Sequence, residues 1–170
     1  DWPASEVASQ LALSVPAVKS ALRRARTTLA QHYQSPEGWH GATLTPRQQD
    51  QLARYVRAWE TSDVDGLAAL LRTEATFSMP PIPAWYQGRE TVRQLVARTI
   101  FAGPAAGRWR LRPTRANGQP AFGLYRVDPD AGLHRAYGLQ VVTLWGDEVA
   151  DIITFRVPAL IARFGLPEAV

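Results

Sequence analysis

Cysteine is absent, which excludes disulfide staples, thiolate metal sites and a cysteine nucleophile. Histidine is scarce. The three, at 32, 40 and 134, fit no ligand spacing, so no metal and no cofactor is expected. A glycine-rich phosphate loop is missing too, because Gly103 and Gly107 do not lead a strand into a helix. No serine stands in a nucleophile elbow. No uninterrupted apolar run approaches the ~20 residues that a membrane span needs. Asp1 opens the chain with no charged-then-apolar leader behind it. The expectation is a cytoplasmic piece of a longer polypeptide with no membrane partner.

Lysine is almost absent as well. Lys19 stands alone among arginines, and it falls in a stretch with a distinct charge pattern. Between Glu6 and Glu37 there is no acid, while Lys19, Arg23, Arg24 and Arg26 crowd together. Local positive charge of this kind suits a polyanion, although a solvated helix face has the same composition. Residues 1–33 read as two helices. The first covers about Pro3 to Leu11; the second is capped by Ser14, with Pro16 in its first turn. Val18, Leu22, Ala25 and Leu29 recur at helical spacing, and Lys19, Arg23 and Arg26 lie off that stripe.

Apolar residues make up 46% of the chain and suffice for a core. Pro36, Gly38 and Gly41 mark a linker at 34–45, in which Trp39 is an unusual residue. Thr45-Pro46 opens a helix with Leu52, Tyr55, Val56 and Trp59 on one stripe. Asp63 then caps a shorter helix that carries Val64, Leu67, Leu70 and Leu71. A strand is predicted at 75–79 and a helix from Glu90 to Phe101, closed by Gly103-Pro104. From Arg108 the period becomes two, with Trp109 and Leu111 alternating with arginines. Strands follow at 120–127, 134–145 and 148–156. Asn117-Gly118, Asp128-Pro129-Asp130 and Gly146-Asp147 form the turns, and a short helix ends the chain near Gly165. Helices grouped before a run of strands make an α+β layer fold, with an antiparallel sheet curling around the long helix and a pocket at its open end.

Two resemblances attach to these residues. Ser5-Glu6-Val7-Ala8, Ser14, and Val18-Lys19-Ser20-Ala21-Leu22-Arg23-Arg24-Ala25-Arg26 resemble the end of region 4 of an extracytoplasmic-function (ECF) sigma factor. Ala12 departs from the glycine usual in that turn. Residues 46–167 resemble the SnoaL-like branch of the NTF2-like superfamily, through Tyr55-Val56-Arg57-Ala58-Trp59, Asp65-Gly66-Leu67, Phe77-Ser78-Met79-Pro80-Pro81, Trp85-Tyr86-Gln87-Gly88, the stretch from Pro113 to Pro120, and Phe164-Gly165-Leu166-Pro167. The combination resembles sigma factors that carry a SnoaL-like C-terminal extension. It implies a truncated all-α helix-turn-helix at 1–33 followed by a cone-shaped curved sheet wrapped on helices at 46–170. It also implies a role in transcription initiation, with RNA polymerase core, the promoter −35 element and the sigma regions of the same polypeptide as partners. Lys19, Arg23 and Arg24 would then contact phosphates, and Ser14, Val15, Pro16 and Ser20 would stand where base edges are reached. A homodimer through the sheets is a further option of the fold.

The pocket admits three readings: a regulatory domain without catalysis, a ligand sensor, and a cyclase or isomerase of the SnoaL type. Enzymes on such a fold need an Asp or His acid–base group inside the pocket, often with a tyrosine or asparagine that polarises a carbonyl. The candidates are Asp65, Asp151, His134, Tyr125, Tyr137 and Asn117. Asp65 also reads as a capping or turn acid, Asn117 as a turn residue and His134 as exposed after a turn. Asp151 falls in phase with Val149, Ile153 and Phe155, so it faces the pocket or pairs with Arg112 or Arg135. An apolar lining is expected from Met79, Trp85, Tyr86, Trp109, Tyr125 and Tyr137, with Asp151 as a polar handle. Such a lining suits a small hydrophobic ligand, though aromatics of this kind also fill cores.

Overall fold

A computed structural model describes residues 2–32, 44–103 and 107–170. Most of the expected linker, with Trp39 and His40, lies outside the described residues, as do Pro104 and the side chains of Leu29 and His32. The chain divides into two compact units after residue 38.

The first unit holds α1 (Ala4–Gln10) and α2 (Val15–His32). Leu13 N–H donates to Ala8 O at 2.9 Å and Ala12 N–H to Ser9 O at 3.4 Å, a helix end that requires a left-handed residue. Ala12 fills that position at φ 52°. Ser14 caps α2 by accepting from Ala17 N–H at 3.3 Å. Ala8 and Val18 are the buried apolar residues here, whereas Leu11, Leu13, Leu22 and Ala25 are exposed. Thus the expected packing stripe of α2 is covered only at Val18 among its described side chains.

The second unit begins at Thr45, whose hydroxyl accepts from Gln48 N–H at 3.2 Å while Gln48 Oε1 accepts from Thr45 N–H at 3.0 Å. This reciprocal cap, with Pro46 at the first helical position, starts α3 (Pro46–Thr61). Ser62 stops it in a left-handed conformation. Asp63 Oδ1 accepts from Gly66 N–H at 2.8 Å and caps α4 (Val64–Leu70). The cap is therefore Asp63, while Asp65 pairs with Arg93 Nε at 2.9 Å.

Strand β1 (Leu71–Ser78) begins at Leu71, earlier than the predicted 75, because Leu71 leaves the helix in extended conformation. The remaining elements are β2 (Trp85–Gln87), α5 (Arg89–Leu95), β3 (Trp109–Ala116), β4 (Gln119–Asp128), β5 (Leu133–Trp145), β6 (Glu148–Phe155) and α6 (Leu160–Arg163). A π-helical turn, Val96–Ile100, extends α5.

Six strands form one sheet in the order β2-β1-β6-β5-β4-β3. β3 to β6 are a meander of hairpins, and Asn117 (φ 52°) and Gly118 (φ 80°) supply the paired positive angles of its first tight turn. β1 lies beside β6 in parallel, so the sheet is mixed, which corrects the all-antiparallel expectation. The segment between β1 and β3 carries a helix, and this crossover frees β1 from the alternation that hairpins impose.

Packed on one face of the sheet, α3 buries Leu52, Tyr55, Ala58 and Trp59 against Leu111, Phe122, Val142 and Ile152. The opposite face carries Ala116, Ala121, Leu139 and Val141, packed by Phe155, Leu160 and Phe164. Two bulges decide which side chains reach which face. Leu124 pairs with Gly138 and Tyr125 with Ala136, leaving Tyr137 as the extra residue. Thr143 pairs with Asp151 and Leu144 with Val149, leaving Ala150 extra. Beyond the end of β6 the C-terminus takes its place beside β5: His134 and Val170 exchange hydrogen bonds at 2.9 and 2.8 Å.

Candidate functional site

A cavity of about 300 Å³ opens within the second unit, between the α3 face of the sheet and the end of α5. Trp59 of α3, Phe77 of β1, Trp109 of β3 and Leu124 of β4 form its deep wall. Leu95, Thr99 and Ile100 reach it from the end of α5 and the π-turn, whose register change aims successive residues inward. Trp109 Nε1–H donates to Ile100 O at 3.3 Å and fixes one side. The Trp109 ring meets Trp59 edge-on at 5.8 Å and Tyr137 at 5.1 Å. Thr154 supplies a hydroxyl on the wall, and Arg108, Arg126 and Arg156 complete the lining.

Four of the seven expected pocket residues line this cavity: Met79, Tyr86, Trp109 and Tyr137. The other three are placed elsewhere. Trp85 alternates with Tyr86 along β2 and is 61% exposed. Tyr125 lies on the opposite face of the sheet, where its hydroxyl donates to Pro167 O at 2.8 Å; burial raises its pKa. Asp151 also points away from α3, because the bulge at Ala150 breaks its phase with Val149. Its carboxylate accepts from the Thr76 hydroxyl at 2.6 Å rather than from an arginine, and Arg135 is held by Asp128 instead.

The remaining candidates are not among the residues that line the cavity. Asp65 is on the surface with Arg93. His134 is half-buried rather than exposed, with Nε2 2.7 Å from Gly107 O. Asn117 occupies its turn. The lining residues include no carboxylate and no imidazole. Sequence reasoning missed the arginines. Period two was the available signal: Arg126 continues the inward series Phe122 and Leu124, and Arg156 continues Ile152 and Thr154.

On α2, Lys19, Arg23 and Arg26 share one face, with Leu22 and Thr27 between them. Ser20 and Arg24 stand beside it, and the Arg24 guanidinium donates to Ser20 Oγ at 2.9 Å. Ser14, Pro16, Lys19, Arg23 and Arg24 are exposed, while Val15 and Ser20 are half-buried. None of these cations makes an ion pair among the described residues. Among the described residues the helix thus presents positive charge with no carboxylate partner, with Leu22 exposed amid it.

A family model for the SnoaL-like domain matches residues 52–163. Over 168 residues, 99% of this chain, the sequence is 36% identical to the ECF RNA polymerase sigma factor SigG of Mycobacterium tuberculosis. The chain covers 45% of that protein, so it spans about half the length of the curated relatives it matches. Among solved structures, a Kribbella flavida protein provisionally described as a ketosteroid isomerase is similar at 18% identity and a TM-score of 0.50, over 65% of this chain and 78% of that one. A de novo designed protein with a curved β-sheet is similar at 11% identity and a TM-score of 0.53, over 72% of this chain and 95% of its own. At such identities the likeness is one of fold alone.

Proposed function

Because the chain belongs to the SnoaL-like domain family, we propose that this domain regulates an ECF RNA polymerase sigma factor of which the chain is part. The observation that carries the reading is the extent of the match to the mycobacterial sigma factor, which runs through both units rather than through the SnoaL-like domain alone. In this reading residues 1–33 belong to a −35-reading helix-turn-helix and residues 46–170 are the regulatory domain. RNA polymerase core, promoter DNA and the sigma regions of the same polypeptide are the partners, and the cytoplasm is the compartment.

The surface of α2 supports the DNA-reading role. Lys19, Arg23 and Arg24 are exposed cations with no ion pair among the described residues, and they suit phosphate contacts that fix register on the duplex. Ser14, Val15, Pro16 and Ser20 lie at or near the start of the same helix, the part that enters a major groove. Ser14 Oγ already accepts a capping bond, so toward a base it retains its hydroxyl hydrogen as a donor.

The SnoaL-like domain acts here without catalysis. Support comes from where the Asp and His candidates lie: Asp65 on the surface, Asp151 on the far face of the sheet and His134 against a backbone carbonyl. A general base must come within hydrogen-bond reach of the proton it takes, and none of these three lines the cavity. The deciding experiment is transcription from a cognate promoter by a sigma factor carrying this chain, compared with the same factor ending at residue 45. Altered output is expected. Identical output from both would remove the regulatory role.

A further inference from the structure

The three arginines around the cavity have no part in that reading. We propose that the cavity binds a small, flat apolar molecule bearing one oxyanion group, of the class of aromatic carboxylates. The site belongs to the second unit alone, and it exists whether or not the domain regulates transcription.

The apolar body has a place to lie. About 300 Å³ is bounded by Trp59, Phe77, Met79, Trp109 and Tyr137, at the small end of ligand-binding pockets. Trp109 stands edge-on to Tyr137 and Trp59, and aromatic walls of this kind favour a planar guest through offset or edge contacts. A pocket at this end of the range suits a guest whose charge is confined to one compact group.

The charge has a place as well. Arg108, Arg126 and Arg156 line the same cavity, and the lining contains no acid. Elsewhere in the unit Arg72, Arg89, Arg93, Arg110 and Arg135 each face a carboxylate. Arg126 and Arg156 make no such pair among the described residues. The Arg156 guanidinium lies 5.2 Å over the Tyr137 ring, a contact that orients its plane while using none of its N–H donors for a hydrogen bond. Like charges gathered at one opening repel each other, and an oxyanion between them relieves that repulsion while accepting the paired N–H bonds a guanidinium offers. Because Arg126 and Arg156 are exposed to water, the charge contributes selectivity more than affinity. The apolar wall supplies most of the attraction.

The test uses 2-naphthoate and its neutral counterpart 2-naphthamide, titrated against the full chain by calorimetry, with quenching of Trp59 and Trp109 fluorescence as a second readout. The acid is expected to bind at least about tenfold more tightly than the amide, a clear separation on the affinity scale. The double variant Arg126→Gln with Arg156→Gln is expected to erase that preference, the acid losing at least about tenfold in affinity relative to the amide. Both residues are exposed, so folding is preserved, and far-UV circular dichroism checks it. Equal binding of acid and amide, a preference that survives the double variant, or no saturation by either probe at millimolar concentration overturns the proposal. Because the measurement involves neither polymerase nor promoter, its failure is distinct from failure of the sigma-factor reading.

Discussion

The Tyr55 hydroxyl donates to Gln140 Oε1 at 2.6 Å, joining α3 to the middle of the sheet through two fully buried side chains. Gln140 passes the link on, its amide donating to Thr154 Oγ1 at 2.9 Å on the cavity wall. Burial pushes the Tyr55 pKa well above its ordinary value, so the phenol remains a donor throughout the usable pH range. Replacing Tyr55 with phenylalanine keeps the ring stacked on Phe122 but strands the Gln140 oxygen. An unsatisfied buried acceptor costs about 1–3 kcal/mol, and removing both partners costs less than the sum of the single changes. Urea unfolding of Tyr55→Phe, Gln140→Leu and the double variant measures this. Strict additivity would show that the pair is not coupled.

Ala12 holds a left-handed backbone at the end of α1, with φ at 52°. For a residue with a Cβ that conformation costs roughly 1 kcal/mol or somewhat more, and glycine avoids it. Ala12→Gly should therefore slow amide exchange at Leu13, whose N–H closes the helix end on Ala8 O. The glycine's greater freedom in the unfolded chain offsets part of the gain, which leaves a net effect of about 0.5–1 kcal/mol. Faster exchange in the variant would mean that the turn is not strained.

These two sites differ in how far the sequence reveals them. Local chemistry was readable: Thr45-Pro46 starts α3, Asn117-Gly118 turns β3 into β4, and Ala12 stands out as a residue in a glycine position. Strict alternation also gave the faces of β3. The parallel pairing of β1 with β6 was hidden, because it joins segments far apart in the chain, such as Thr76 and Asp151, through backbone bonds that no side-chain pattern encodes. Asp151 was misplaced for a different reason. One extra residue at Ala150 moves every later side chain to the other face, and a bulge leaves no reliable mark in composition. Tyr125, also expected in the lining, could have been read as outward, since Phe122 and Leu124 alternate with it.

Asp128 closes the turn after β4. Its carboxylate accepts from Arg135 Nε at 2.6 Å and from the Asp130 and Ala131 N–H groups at 3.1 and 3.3 Å. The Arg135 hydrogen bond, with the backbone bonds after it, holds the Asp128 pKa below the usual aspartate value. With the folded pKa depressed, the contribution to stability is complete above the unfolded value and is lost as pH falls through the folded one. The window therefore lies on the acid side of an ordinary aspartate. A carboxyl-carbon NMR titration should find that low midpoint, and Arg135→Gln should move it upward. An unmoved midpoint would remove Arg135 as the cause.

Arg23 extends from α2 with no ion pair among the described residues, on the face that holds Lys19 and Arg26. If it neutralises one promoter phosphate, Arg23→Ala in a factor carrying this chain weakens binding across sequences and lowers the steepness of the salt dependence by about 0.9 in log–log slope. Arg24 is a useful contrast, because its guanidinium is tied to Ser20. Binding isotherms at several salt concentrations give both quantities. Unchanged affinity with an unchanged slope would exclude Arg23 from the interface.

Two glycines in the sheet test how closely it is packed on each side. Gly138 neighbours the bulged Tyr137, and a Cβ there would run into the backbone carbonyl of Phe155. No side-chain rotation relieves that contact, so β5 and β6 must separate beside the cavity. Gly123 meets a softer obstacle, since its Cβ would come within 2.7 Å of Leu166 Cδ1, the end of a flexible side chain. Overpacking of a tight interior costs about 1–3 kcal/mol, and the upper part of that range belongs where only backbone can yield. Gly138→Ala should therefore lower the unfolding temperature well beyond Gly123→Ala, and should also change the fluorescence of Trp109, which packs on Tyr137. Equal losses, with Trp109 emission unaltered in both variants, would mean that the bulge yields as readily as a leucine methyl.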